Sequence, residues 1–353
     1  MEDVIHGGDI YRNQITADYS VNINPLGIPE RIRTALTDAV NLCHAYPDIH
    51  ATELITDISR SNGADTDTIV CGNGASELFV AVMHAIRPKR VLIPIPSFYG
   101  YERSARAVDA VTFFYELQEE CNFCLTDTFL KVLTENLDVL FLANPNNPTG
   151  QLIDRALLYK ILKVCKERQI IVILDESFIE FTGEESLIKE KSLTNEQALQ
   201  DYTNVIVIRS FTKLYAIPGV RLGYLMCSDR HLCERIQAQL PEWNLSCFAQ
   251  AAGLAAIQEI NYAERTEAYV KQERDYLEHA LAELGIRVYP GDANFLLLQS
   301  KFPLYEKLLE QGILIRDCRN FRGLEQGYYR IAVKKHEENQ NLVKKVEKII
   351  GKA

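Results

Sequence analysis

Lys213 lies a few residues beyond the β-branched run Asn204-Val-Ile-Val-Ile208 and is followed by Leu-Tyr-Ala-Ile-Pro-Gly-Val. The run reads as a buried strand, and the apolar stretch with turn chemistry reads as a partly dry site rather than a charged surface helix. Desolvation disfavours the ammonium form and makes a lysine amine nucleophilic enough for Schiff-base chemistry. A structural lysine fits the same pattern, so its companions decide. Asp175 closes the apolar run Ile171-Val-Ile-Leu174, where a carboxylate is costly unless it is paired, for instance with a cationic ring nitrogen. Asn147 sits in Pro145-Asn-Asn-Pro-Thr-Gly150, where Asn-Pro steps make a rigid turn that projects an amide, although a plain turn explains them too. Gly72-Asn-Gly-Ala75-Ser76 links a strand to a helix start whose amides favour a phosphate. It is neither GxGxxG nor a Walker loop, which argues against dinucleotides and ATP. Ser210 and Arg221 flank the lysine and can close on the same phosphate. An amine nucleophile, an acid for a pyridinium nitrogen, an amide donor and a phosphate pocket are together what pyridoxal 5'-phosphate needs.

These residues require a scaffold of strands. The 353 residues are 47% hydrophobic and 24% charged, enough for a large core and roughly two domains. A net charge of −10 without a basic block argues against nucleic acid. The acidic opening Met1-Glu-Asp-Val and the lack of a membrane-length apolar stretch point away from a signal peptide or membrane span. Nine scattered cysteines fit reduced thiols in a cytoplasmic protein, and the isolated Cys121/Cys124 pair is not read as a zinc or redox site. Strands are expected at 68–71, 90–95, 111–117, 139–143, 170–174, 204–208 and 222–227, with helices between most of them, such as 154–168 behind an Asp154 cap. That alternation implies an α/β layer around a mostly parallel seven-stranded sheet. A long helix at 262–284 leads into strands at 286–289, 295–299, 313–317 and 328–333 and helices at 303–311 and 336–350. This tail reads as a small α+β module completed by the N-terminal arm. The expected division is a large cofactor-binding domain at 46–264, and a small domain from 1–45 and 265–353.

The segments Pro145–Gly150, Asp175-Glu-Ser177, Ser210-Phe-Thr-Lys213 and Arg221-Leu-Gly-Tyr224 resemble, in order and spacing across nearly the whole chain, the motifs of fold-type-I class I and II aminotransferases. The resemblance implies the fold-type-I transferase architecture and pyridoxal 5'-phosphate as cofactor. It implies that Lys213 binds the cofactor covalently and then serves as acid and base. Asp175 would pair with the ring nitrogen, Asn147 would donate to the ring hydroxyl, and Ala75, Ser76, Ser210 and Arg221 would hold the phosphate. Phe98, in Pro96-Ser-Phe-Tyr-Gly-Tyr101, matches an aromatic that stacks on the ring. Tyr46, in Ala45-Tyr-Pro-Asp48, matches a tyrosine reaching the phosphate from another subunit, so a homodimer with shared sites is implied.

Two branches of the family compete. His6-Gly-Gly8, Asp18-Tyr-Ser-Val-Asn-Ile-Asn24-Pro-Leu-Gly27, Tyr215-Ala-Ile-Pro-Gly-Val-Arg221 and Leu314-Ile-Arg316-Asp-Cys-Arg-Asn-Phe-Arg-Gly-Leu324 resemble the L-threonine-O-3-phosphate decarboxylases of cobalamin synthesis more than the histidinol-phosphate aminotransferases. So does Phe178, where the aminotransferases commonly carry a tyrosine. The decarboxylase resemblance implies a phosphorylated amino acid substrate, with Arg330 on its α-carboxylate and Arg316, His6 and Asn24 facing its phosphate. Guanidinium groups suit both anions. A non-catalytic pyridoxal-phosphate sensor is the remote alternative; such proteins usually add a DNA-binding domain or lose the lysine or aspartate, and this chain does neither.

Overall fold

The computed structural model describes residues 7–188 and 202–351. Its centre is a sheet of β1 (Ile69–Gly72), β2 (Arg90–Ile95), β3 (Val111–Glu116), β4 (Val139–Ala143), β5 (Ile171–Asp175), β6 (Val205–Ser210) and β7 (Gly223–Cys227). The spatial order is β1-β7-β6-β5-β4-β2-β3. Every ladder is parallel except the two that β7 makes with β1 and β6. The seven-stranded, mostly parallel sheet expected from the sequence is therefore present, with each strand within two residues of its expected bounds.

The apolar runs explain why the sheet is covered on both faces. Leu140, Val172 and Val207 belong to one apolar cluster, whereas Phe141, Ile173 and Ile206 belong to another. Alternate residues of a strand point to opposite faces, so a continuous apolar run needs a helical layer on each side. The helices that matter for the site are α1 (Ala75–Ile86), α2 (Gly100–Arg106), α3 (Arg155–Glu167) and α4 (Phe211–Leu214), followed by α5 (Cys247–Ile257) and α6 (Tyr262–Glu283). Asp154 caps α3 by accepting from the Leu157 amide at 2.9 Å.

The C-terminal part forms an antiparallel sheet of β8 (Arg287–Tyr289), β9 (Phe295–Gln299), β10 (Arg316–Asp317) and β11 (Tyr328–Ala332), ordered β10-β11-β9-β8, with α7 (His336–Ile350) against it. The strand expected at 313–317 is divided between two partners. Ile313–Leu314 pairs in parallel with Ala17–Asp18, while Arg316–Asp317 pairs with β11. The N-terminal arm thus enters this layer: Tyr19 is fully buried, and its carbonyl accepts from the Ala332 amide at 2.9 Å. The apolar cluster there joins Tyr19, Leu277, Leu296 and Ile331 and extends to Phe178 and Leu214 beside the large sheet. All nine cysteines are free thiols, and the Cys124 thiol donates to Gln151 Oε1 at 3.0 Å. Among the described residues no helix is long and apolar enough to cross a membrane.

Candidate active site

The register of the parallel strands brings their carboxyl ends into one row. Ala143 lies opposite Asp175, and Asp175 opposite Ile208. Ligand crevices in such sheets open beyond these ends, and a cavity of about 220 Å³ lies there. Lys213, Asp175, Ala75, Ser76, Phe98, Asn147, Ser210, Arg221, Arg316 and Arg330 all line it. Ser210 ends β6 and caps α4, accepting from the Thr212 amide at 3.3 Å, and α4 carries Lys213 into the cavity. The Lys213 carbonyl accepts from the Asn24 amide at 3.2 Å, which fixes the short helix against the N-terminal arm.

Asp175 is buried, with Oδ1 accepting from the Ser177 amide at 2.9 Å and Oδ2 from the Tyr101 hydroxyl at 2.6 Å. Burial raises its pKa above the ordinary carboxylate range, against the hydrogen bonds from Ser177 and Tyr101 and the charge of Lys213. It makes no ion pair among the described residues, so a buried carboxylate faces the cavity in want of a cation. Tyr101 is the clearest residue that sequence reasoning missed. Its own pKa is driven up by burial and by Asp175, so it stays a donor. The Tyr101→Phe variant is expected to weaken cofactor retention about tenfold, the effect of one hydrogen bond to a charged group. Equilibrium titration of apo-protein with cofactor measures it, and unchanged affinity would exclude a positioning role for Tyr101.

Lys213 has its pKa pulled down to about 8, first by burial and then by the Arg330 and Arg221 charges, with Asp175 opposing. At pH 7 such an amine is about 10% neutral, against about 0.03% for an ordinary lysine. Covalent capture of an aldehyde needs the neutral amine. Cofactor uptake by apo-protein should therefore rise about tenfold per pH unit below 7 and level off above about 8. A stopped-flow absorbance profile that keeps rising to pH 10 would contradict the depressed amine.

At the far end, Gly74 stands before α1 with φ of +82°, and a Cβ there would run into the Arg221 guanidinium. A Cβ on Gly223 would lie 2.9 Å from the Ala75 amide nitrogen, so glycine lets β7 pass beneath the helix start. Arg221 itself adopts φ of +60° and donates to the Pro218 carbonyl at 3.3 Å. A non-glycine residue in this region stores strain, which is commonly found at ligand clamps. The helix start, Ser76, Ser210 and Arg221 together form an anion cradle.

The opposite wall is built on a pairing that no sequence spacing reveals. Arg316 and Arg330 stand directly across from each other in β10 and β11, and both are more than nine-tenths buried. Arg330 donates to the Ser20 carbonyl at 2.8 Å and to Asn147 Oδ1, while Arg316 donates to Asn320 Oδ1 at 2.7 Å. Because arginine only donates, Asn147 turns its oxygen to Arg330 and keeps its amide N–H groups available. Arg330 Nε and Arg316 Nη1 are buried with no partner among the described residues. Burial lowers both pKa values, that of Arg330 to about 10. Two facing cations with spare donors call for anionic ligands.

The remaining expected residues fall elsewhere. Asn24 does not face the cavity, which corrects the expectation that it meets a substrate phosphate. Its Nδ2 donates to the Leu214 carbonyl at 2.7 Å and Thr266 Oγ1 at 2.8 Å, and its Oδ1 accepts from the Leu26 amide at 2.9 Å. That is the Asx turn of an Asn-Pro-Leu-Gly segment. Asn22 lines the cavity instead, buried, with Oδ1 unpartnered among the described residues. Tyr46 is 79% exposed, its ring 4.7 Å from that of Trp243, and it does not line the cavity of its own chain. His6 lies outside the described residues; Gly7 after it lines the cavity, and the Gly8 amide donates to Ser20 Oγ at 2.7 Å. Phe178 lines the cavity with its ring 5.1 Å from Phe295, and no hydroxyl is presented there. Thr212, Ser177, Tyr99 and Phe321 also line it and were not foreseen.

This set fits pyridoxal 5'-phosphate. The uncompensated buried carboxylate suits a pyridinium nitrogen, the depressed amine suits an aldehyde, and the anion cradle suits a phosphate. Comparison with known proteins agrees. The family described as aminotransferase class I and II matches residues 16–346. The threonine-phosphate decarboxylase of Salmonella typhimurium is 37% identical, over 98% of this chain and 96% of that protein. The crystal structure of a histidinol-phosphate aminotransferase from Clostridium acetobutylicum superposes with a TM-score of 0.87 at 32% identity, covering 96% of this chain and 100% of that one. That of an L-threonine-O-3-phosphate decarboxylase from Porphyromonas gingivalis gives 0.80 at 26% identity, covering 94% and 99%. With these motifs gathered at the strand ends of a mostly parallel sheet, the chain belongs to the class I and II aminotransferase family.

Proposed function

We propose that the protein decarboxylates an O-phosphorylated amino acid with pyridoxal 5'-phosphate, converting L-threonine O-3-phosphate to (R)-1-amino-2-propanol phosphate in cobalamin biosynthesis. The observation that carries this reading is the buried Arg316–Arg330 pair facing Lys213 across one cavity, a site for a substrate with two anionic ends. When bound, the cofactor supplies an electron sink for whichever Cα bond stands perpendicular to its ring. The chain decides which bond that is. Arg330, anchored by Ser20 and Asn147, would hold the α-carboxylate, and Arg316 with Asn22 would hold the phosphate, aided by His6 of the arm. Lys213, neutral above about pH 8 when free, would move the proton at Cα, returning one after carbon dioxide has left. Asp175 and Asn147 would hold the ring, Phe98 would cover it, and Ala75, Ser76, Ser210 and Arg221 would hold its phosphate. We also take the exposed Tyr46 to reach the cofactor phosphate of a second subunit in a cytoplasmic homodimer. The large domain would be 46–264, with 1–45 and 265–353 as the small one.

The second reading is a histidinol-phosphate aminotransferase, favoured by the structural likeness to the Clostridium enzyme. In that case Lys213 takes the Cα proton instead. Purified holoenzyme given threonine phosphate without a keto acid should release carbon dioxide. Glutamate formation from histidinol phosphate and 2-oxoglutarate, with no carbon dioxide from threonine phosphate, would replace the decarboxylase by the aminotransferase.

A further inference from the structure

Residues 318–324, which follow β10, tie the small sheet to the large one beside the cavity. The segment turns back on itself through two backbone bonds, from the Phe321 amide to the Cys318 carbonyl at 2.9 Å and from the Leu324 amide to the Phe321 carbonyl at 3.0 Å. Arg319 anchors it on the small-sheet side, with its amide donating to Asp317 Oδ1 at 2.9 Å and its guanidinium to Glu306 Oε1 at 3.0 Å. Arg322 anchors it on the large-sheet side. It donates to Glu102 of α2 at 3.0 Å, and its guanidinium carbon lies 4.3 Å from the ring centre of Phe114 in β3. Between the anchors, two consecutive residues grip Arg316. Asn320 Oδ1 accepts from Arg316 Nη2 at 2.7 Å, and the Phe321 ring centre lies 5.0 Å from the guanidinium carbon. Phe321 is itself buried in an apolar cluster with Tyr289, Leu297 and Cys318, and it lines the cavity together with Arg316. The grip takes Nη2 and leaves Nη1, which is buried with no partner among the described residues.

We infer that Asn320 and Phe321 are positioning residues that hold Arg316 ready for the substrate phosphate, so that the loop 318–324 sets the preference for phosphorylated substrates. The inference rests on the phosphate contact proposed for Arg316. An arginine side chain is rich in rotamers, and a ligand that must order it binds more weakly than one that meets it already held. The amide oxygen fixes the direction of one edge of the guanidinium, and the aromatic ring fixes its face. Because the loop is anchored at both ends, the acceptor and the ring stay in place while the cavity is empty. Neither residue carries a nucleophile or an ionisable group, so the proton step at Cα does not depend on them and their effect falls on KM. Asn320 is exposed, so its replacement removes no apolar packing.

Steady-state kinetics of the holoenzyme with threonine phosphate and with unphosphorylated threonine test this. N320A should raise KM for threonine phosphate about tenfold, the effect of one hydrogen bond to a charged group, with kcat held within about twofold. F321L keeps apolar volume but removes the ring face, and should raise the same KM about threefold. Both variants should leave the kinetics with threonine within about twofold of the parent, and neither should add to the loss in R316Q, where the held group is gone. The melting midpoint of N320A should match that of the parent. Histidinol phosphate and histidinol give the same comparison under transamination, so the test does not depend on which reaction follows binding. Equal losses on both substrates, a loss that persists on top of R316Q, or an unchanged KM in N320A would each overturn the positioning role. If R316Q itself leaves KM for the phosphorylated substrate unchanged, the phosphate contact fails and this inference falls with it. A loss in R316Q with none in N320A overturns this inference alone.

Discussion

Lys213→Ala lowers carbon dioxide release at saturating substrate by at least about 10³-fold, the upper part of the range for one positioned acid–base group. The variant also loses covalent attachment of the cofactor, so borohydride treatment leaves no added mass on the protein. The stability of the apo-protein supplies an independent readout. The folded pKa of Lys213, about 8, lies below its ordinary 10.5, so the unfolded chain binds more protons between these values. Stability contributed by this residue therefore rises with pH from about 8 to about 10.5, and below about 8 the buried ammonium costs stability throughout. Apo K213A lacks that rise. A variant that keeps a tenth of the activity, or melts with the same pH dependence as the parent, rules out the assigned role.

Arg316→Gln and Arg330→Gln carry the second largest effects, and they differ in kind. Truncating one partner of a buried charged contact costs about 2–5 kcal/mol, which corresponds to roughly 30- to 5,000-fold in kcat/KM. R330Q should lose this with every amino acid substrate, because the α-carboxylate is common to all of them. R316Q should lose it with threonine phosphate and lose little with unphosphorylated threonine. Neither should unfold the protein, since facing cations in register are unfavourable before a ligand arrives. Equal losses by R316Q on both substrates would place the phosphate elsewhere. Swapping the two profiles would reverse the orientation of the substrate.

Much of the scaffold was legible because its signals are local. A run such as Val139-Leu-Phe-Leu142 or Ile171-Val-Ile-Leu174 is apolar at every position, which only a strand covered on both faces tolerates. A charged residue closing such a run marks the strand end, and in parallel sheets those ends lie together, so Asp175 and the lysine loop could be paired on paper. Asn24 was misread for a related reason. Asn22 and Asn24 are the same residue type two positions apart, and only the turn chemistry of Asn-Pro-Leu-Gly separates the structural one from the cavity one.

Other features depend on contacts across long separations. Tyr101 and Asp175 are 74 residues apart, and nothing around either names the other. The division of 313–317 between two partners depends on where the N-terminal arm docks, which local propensity does not encode.

The sequence alone therefore determined the strands of the large sheet to within two residues, the lysine–aspartate–asparagine set, and the glycine turn before α1, because each follows from residue type and short spacing. Only the tertiary structure decided which groups are left unsatisfied. Strand register sets Arg316 opposite Arg330 and burial strips both of water, while burial of Lys213 together with the Arg330 and Arg221 charges brings its pKa down to about 8. Desolvation and long-range charge are properties of the packed molecule, and they turn a list of polar residues into a site that wants a cation at one wall and anions at the other.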